Sequence, residues 1–320
     1  MLPKFTIIYA FRNRDAQRVN LSLQSLQKQT NQNFEVIFVD YGSEVQFAKP
    51  VKETVTGFNF AKYNYVAHEG LLWNKSKALN YGISLAQSSY VILADVDVLF
   101  APHFIESCFL ICKPNQFSLF KIGYLPKGIP ANQMVNTDFS NLKTTHIGHT
   151  FGIGLFPTEA LKSVKGLDPF FHFYGSEDED LNSRLTCKGY QLNRCEDHLL
   201  WHQWHPRYPQ NNDKELSVSP RLQNVQRINQ QHFLWNKKQE KTAHSDATNW
   251  TQVYFQQDAC LLKQPDKTLV FNTVKAHVMH FINFGIQDYQ GQVVKVVFKE
   301  DAYYKSLKYQ VKKLLKKETQ

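Results

Sequence analysis

Asp95-Val96-Asp97 sets two carboxylates one residue apart, directly after the apolar run Tyr90-Val91-Ile92-Leu93-Ala94. A buried strand that ends in acidic residues delivers oxygen ligands to the carboxyl edge of a sheet, where open α/β folds bind their ligands. The same spacing occurs in ordinary turns, so its meaning depends on the other polar clusters. Phe11-Arg12-Asn13-Arg14 follows another short apolar run. Its two guanidiniums can pair with diphosphate oxygens, or can form a solvated basic turn. Asp40 precedes Gly42-Ser43 at the end of a third run. Its carboxylate can accept from a nucleobase N–H or a ribose hydroxyl, can close an Asx-type turn, or can do both.

Three further clusters carry candidate chemistry. In Trp73-Asn74-Lys75-Ser76-Lys77-Ala78-Leu79-Asn80, Lys77 can offer charge to a phosphate, and Asn74 and Asn80 can hydrogen-bond a nucleotide or sugar. The same stretch also reads as an ordinary Asn-capped helix. In Gly175-Ser176-Glu177-Asp178-Glu179-Asp180, Ser176 and Glu179 fit a capping box. Glu177 and Asp178 fall outside that box, beside the aromatic run Phe170–Tyr174, and one of them can take a proton from an acceptor hydroxyl. Trp201-His202-Gln203-Trp204-His205-Pro206 supplies two imidazoles. Pro206 argues against a long helical zinc motif, so one histidine joining distant carboxylates around a divalent ion is the better reading. His146 and His149 read as loop residues.

These residues need a scaffold that brings strand ends together. Phe5–Tyr9, Phe34–Val39 and Tyr90–Ala94 are β-type runs. The intervening apolar residues Val19, Leu23 and Leu26, then Leu79, Ile83 and Ala86, recur at helical spacing. Alternation of this kind predicts an α/β fold with a mainly parallel sheet flanked by helices. Residues 123–150 read as a long loop or short strands near a site. Helices are expected from Pro157 to Gly166 and from about Ser176 to Gly189. The predicted organisation is a catalytic domain over 1–206, a polar connecting segment over 207–245, a small β-rich extension over 246–300, giving a C-terminal α+β part, and a basic amphipathic helix over 301–320.

Composition narrows the class. Hydrophobic residues make up 42% and aromatic residues 14% of 320 positions, enough for a substantial core, so the chain is not disordered. No apolar run approaches the roughly 20 residues that span a bilayer, and the start shows no signal-peptide layout. A soluble protein made in the cytoplasm is expected. Five cysteines without a C-x-x-C pair suggest reduced thiols rather than a disulfide framework. The net charge of +9 favours an anionic partner. In residues 301–320, six lysines stand against two acidic residues, and Tyr304, Leu307, Val311, Leu314 and Leu315 share one helical face. That face suits an anionic membrane surface, the inner face of the cytoplasmic membrane in this setting, or else weak packing on the domain.

Taken in order, the polar clusters resemble an inverting glycosyltransferase of the GT-A type. Phe11–Arg14 is similar to the F-R-N-R of the β-1,4-galactosyltransferase family, and Val39-Asp40-Tyr41-Gly42-Ser43 to the V-D-D-G-S of family 2 glycosyltransferases, with Tyr41 replacing the second Asp. Asp95-Val96-Asp97 resembles the metal-binding D-x-D of both. Gly175–Asp180 resembles the galactosyltransferase G-G-E-D-D-D, and Tyr190–Gln203 a stretch of bacterial chondroitin-type polymerases. The resemblance covers residues 4–206. It implies a nucleotide held by Phe11, Arg12, Arg14 and Asp40, and Mn2+ or Mg2+ on Asp97 and a downstream histidine, with His202 favoured over His205. Asp95 would lie nearer the ribose and the ion's water shell. Asp178 falls at the base position and Glu177 at that of an acceptor-binding carboxylate. The function implied is transfer from a UDP-sugar, hexosyl or N-acetylhexosaminyl, to a glycan acceptor, lipid-linked ones included, in bacterial surface polysaccharide synthesis. A sugar nucleotidyltransferase is disfavoured because no Gly-rich, Lys-containing loop follows the first strand. A nucleic-acid-binding protein is disfavoured because the basic residues cluster in a tail rather than along a stripe, and no nucleic acid partner is expected.

Overall fold

The first strand, β1 (Phe5–Phe11), has side chains buried on both faces. Ile7 and Tyr9 enter one core with Val36, Phe38 and Ile92, and Ile8 enters the other with Leu79, Ile83 and Leu93. A strand covered on both faces reads as a continuous apolar run, which is why this part of the sheet was legible. The computed structural model describes residues 4–69, 71–136, 142–206, 219–244, 248–272, 274–299 and 301–315.

Seven more strands complete the main sheet: β2 (Phe34–Tyr41), β3 (Ala61–Val66), β4 (Tyr90–Ala94), β5 (Val98–Phe100), β6 (Gln116–Tyr124), β7 (His146–Pro157) and β8 (Gln191–His202). Their order is β3-β2-β1-β4-β7-β6-β8-β5. The first four are parallel, and β6 is parallel to β8. β7 runs antiparallel to both β4 and β6, and β5 antiparallel to β8. The result is the mainly parallel α/β sheet expected. The helix Lys75–Leu85 lies close on it because Gly82 has no side chain; a Cβ there would stand 2.4 Å from Ile8 Cγ2.

The chain divides into two units, at Tyr254 and Phe255. This differs from the boundaries at 206 and 245 expected from sequence. Among residues 207–245, the described part contains the helix Ser219–Lys238. Asn229 Nδ2 donates to His172 O at 3.0 Å, and Asn236 Nδ2 to Asp180 Oδ1 at 2.8 Å. Both asparagines are buried. The helix packs through polar side chains, so hydrophobic periodicity could not reveal it. Residues 123–150 also hold more structure than a loop: the end of β6, a helix at Ala131–Asn136 and the start of β7, which carries His146 and His149.

The second unit contains a parallel pair, β9 (Lys267–Asn272) and β10 (Val294–Lys299), joined through the helix Lys275–Asn283. It ends in the helix Leu307–Leu314. Lys316 and Lys317 of the predicted basic helix lie outside the described residues.

Candidate active site

β4 ends at Ala94 and the chain turns through Asp95 and Asp97 into β5. Val98 of β5 pairs with His202, which also pairs with Tyr124 of β6. Gln203 N–H donates to Asp97 O at 2.9 Å. This pairing brings both histidines to Asp97: His202 Nε2 stands 3.5 Å from Oδ1 and His205 Nε2 3.2 Å from Oδ2. The three residues form a group whose ligand atoms lie within 4.8 Å of one another. The expectation of a single histidine thus gives way to a pair, because the turn after β8 returns His205 to the same carboxylate.

The group has the features of a cation site. Asp97 Oδ1 is buried without a hydrogen-bond donor among the described residues. His205 Nδ1 lies 2.8 Å from Pro206 O; a proton there would let Nε2 ligate a cation in place of its hydrogen bond to Asp97. Burial would raise the Asp97 pKa, but the charges of His202, His205 and Arg18 and the His205 hydrogen bond hold it below the usual carboxylate range. The hydrogen bond to Asp97 raises the His205 pKa against the effect of burial.

Asp95 is not in this group. Its side chain is 43% exposed and its Oδ1 lies 3.0 Å from Lys75 Nζ. Lys75, missed in the sequence in favour of Lys77, opens the helix capped by Asn74.

Asp178 and Glu177 begin the helix Glu177–Cys187. The approach is built from left-handed residues, with φ of 64° at Phe173, 108° at Gly175 and 68° at Ser176. In that conformation Ser176 does not cap the helix; its hydroxyl lies 3.4 Å from Glu179 Oε2, so the capping box is absent. Glu177 Oε2 instead accepts from Gly175 N–H at 2.9 Å. Asp178 packs against Gly152 of β7, where a Cβ would stand 2.2 Å from Oδ2. Glycine inside a strand marks such a close approach, a signal available in the sequence. Burial raises the Asp178 pKa to about 7, opposed by Lys75 and reinforced by Glu177, Asp95 and Glu179. Glu177 and Asp178 line a cleft of about 670 Å3 with Phe151, Tyr174, Gln226 and Arg227.

The nucleotide-side residues divide. Arg12 is buried and donates from Nη1 to Leu71 O at 2.6 Å, and it lies near enough to Asp40, Tyr41 and His68 to influence their ionisation. Arg14 is partly exposed in the same turn. Asn13, missed before, pins that turn: its N–H donates to Ser43 Oγ and its Oδ1 accepts from Glu44 N–H, both at 2.9 Å. Tyr41 stacks on His68 at 4.0 Å, His68 on Tyr254 at 4.9 Å, and Lys77 Nζ lies 6.0 Å from the Tyr254 ring.

Four residues expected on the nucleotide side also have structural partners. Phe11 is a core residue packed on Phe38. Asp40 has no exposed surface; its oxygens accept from Ser43 N–H at 2.9 Å and Tyr63 Oη–H at 2.6 Å. Asn74 caps its helix through Lys77 N–H and donates to Pro169 O. Asn80 is fully buried, with both amide ends bonded to the Leu167 backbone.

Residues 6–134 match the model of glycosyl transferase family 2, and residues 134–205 that of the N-terminal domain of galactosyltransferase. No curated relative matches the chain. Among solved structures, the 1–349 fragment of S. aureus TarS shares 16% identity with a TM-score of 0.48, over 62% of this chain and 60% of that fragment. Its complex with UDP aligns at 17% identity and the same TM-score, over 63% and 61%. A Pyrobaculum calidifontis mannosyltransferase, solved with GDP-Man and Mn2+, shares 15% identity with a TM-score of 0.45, over 75% and 73%. The chain thus spans about three fifths of the TarS fragment. The two adjoining matches give residues 6–134 the pattern of family 2 glycosyltransferases and residues 134–205 that of the galactosyltransferase N-terminal domain, both on the mainly parallel sheet described above.

Proposed function

We propose that this protein is an inverting, metal-dependent glycosyltransferase that moves a sugar from a UDP-sugar to a hydroxyl of a glycan acceptor. The observation that carries this reading is the convergence of Asp97, His202 and His205 at the strand edge that also carries Asp95. Asp97, His202 and His205 would hold the ion. A divalent cation bound there supplies positive charge against the diphosphate as it departs. Two imidazoles beside one carboxylate suit Mn2+ better than Mg2+, which prefers oxygen ligands. Arg12, Arg14 and Lys77 supply further positive charge on the nucleotide side.

Asp178 acts as the general base. With its pKa near about 7, a substantial fraction is ionised at neutral pH, and the carboxylate can still hold a proton once it has taken one. It accepts the hydroxyl proton as that oxygen attacks the anomeric carbon from the face opposite the leaving diphosphate, which inverts the centre. Glu177 shares the cleft and is the acceptor-orienting carboxylate. The bacterial polysaccharide setting rests on the resemblance of Tyr190–Gln203 to polymerase sequences.

The test is a donor screen for Mn2+-dependent hydrolysis of UDP-sugars by the full chain. Turnover of one donor that disappears in Asp97→Ala supports the reading; no turnover of any UDP-sugar overturns it.

The second unit would hold the enzyme to an anionic membrane where lipid-linked acceptors reside. It carries eleven lysines against six acidic residues, +5 of the chain's +9, and Leu307, Val311 and Leu314 are exposed on its last helix. No helix among the described residues is long and apolar enough to cross a membrane. The full chain should sediment with phosphatidylglycerol vesicles at low salt, and deletion of residues 301–320 should abolish this. Equal sedimentation of both forms would remove the idea.

A further inference from the structure

Phe151 is set beside the helix that carries Asp178 by an irregularity of the sheet. Between the pairs Leu119–Gly154 and Lys121–His149, β6 has one residue, Phe120, where β7 has residues 150–153. Extra residues of this kind leave the ladder and re-aim side chains, and they gather next to active sites. The bulge is fixed from two sides. Thr150 Oγ1 lies 3.1 Å from both Phe120 O and Ile153 O, which closes the bulge on itself. Asn182 Nδ2 donates to Phe151 O at 2.8 Å from a buried position one turn after Asp178 on the same helix. The next residue, Gly152, is the one against which Asp178 packs. The Phe151 ring itself stays 50% exposed. The Arg194 guanidinium stands 5.7 Å from its centroid, within cation–π range.

A half-exposed phenyl on a protein surface is ordinary by itself. This one differs in having its main chain tied to the helix of Asp178 and its ring in a polar cleft. Among the described residues that line the cleft, Phe151 is the only hydrocarbon side chain; apart from Gly175, the others end in hydroxyl, carboxylate, amide or guanidinium groups. A sugar ring matches that pattern. Its rim carries hydroxyls, which acids and amides can bond, and its faces carry C–H groups, which a phenyl can cover. A lone phosphate or carboxylate has no such face. We propose that Phe151 is the platform on which the acceptor's reacting sugar stacks, so that the enzyme takes a pyranoside with a continuous C–H face and turns the attacking hydroxyl on its edge toward Asp178. The proposal rests on the reading of Asp178 as the general base and adds a specificity-determining residue on the acceptor side. Asn182 ties the platform to the base helix, so the plane of the sugar and the carboxylate keep one spacing, and Arg194 steadies the ring.

The experiment uses the full chain with UDP and Mn2+ and compares it with Phe151→Ala, Phe151→Leu and Phe151→Tyr, the fold of each verified by circular dichroism. The probes are the methyl β-glycosides of glucose, galactose, N-acetylglucosamine, N-acetylgalactosamine and glucuronic acid, followed by saturation-transfer NMR. At least one should bind the natural chain with saturation concentrated on the C–H protons of one ring face. Its affinity should fall by roughly 3- to 10-fold in Phe151→Ala, the range for loss of one aromatic contact, and the face-specific pattern should vanish. Phe151→Leu, which keeps apolar volume without a ring, should lose the same, and Phe151→Tyr should restore both. If Phe151→Ala fails to fold, Phe151→Leu decides. No glycoside bound by the natural chain, or equal affinity in the variant without the ring, overturns the platform. The donor screen separates this from the reading beneath it. UDP-sugar turnover without Phe151-dependent glycoside binding removes the platform and leaves the transferase. Glycoside binding that needs Phe151, in a chain that turns over no donor, keeps the platform and removes the transfer.

Discussion

At the scale of single residues, the site works by giving similar carboxylates different surroundings. Asp97 sits between imidazoles that favour its charge, whereas Asp178 is half-buried beside other acids. In the proposed mechanism proton and cation chemistry would therefore fall to different residues. Asp178→Asn should slow transfer by about 10²- to 10⁴-fold while UDP affinity is unchanged. In the natural chain kcat/KM should rise with pH through about 7, as the base loses its proton. A pH-independent rate between pH 5.5 and 8.5 (about a unit and a half to either side) would contradict this. Residue types announced much of the site. The sequence singles out Asp97 and His202 by residue type, and the structure brings them together with His205. Lys75 was not singled out, since a lysine at a helix start gains meaning only from what lies across from it. Asp40, Asn74 and Asn80 show the converse: polar residues well suited to a ligand can be consumed in closing turns and capping helices.

At the scale of elements, strands were read more accurately than the segments that complete the cleft. The run Tyr90–Ala94 is β4 itself, because continuous burial on both faces leaves a compositional mark. The helix Ser219–Lys238 leaves no such mark. His232 Nε2 lies 2.9 Å from Asp168 Oδ2, and Asn236 donates to Asp180, which is itself paired with the buried Arg184. This polar seam fixes one wall of the cleft through hydrogen bonds instead of apolar area, so a polar, Gln-rich sequence forms a packed helix. The pairing of His202 with Val98 has a similar lesson. The approach of His202 to Asp97 comes from strand register between segments a hundred residues apart, which local patterns do not encode.

At the scale of the whole molecule, residues 1–254 carry every residue assigned to donor, cation and base, and residues 255–320 hold over half of the net charge. The division fits an enzyme whose chemistry and whose attachment reside in separate units. The central claim is that donor binding depends on a cation held by Asp97, His202 and His205. Calorimetric titration of UDP into the full chain, with Mn2+ and with chelator, tests it most directly. UDP should bind only when Mn2+ is present, weakly in His205→Ala and not at all in Asp97→Ala. UDP binding of equal strength in chelator, or in Asp97→Ala, would contradict the account.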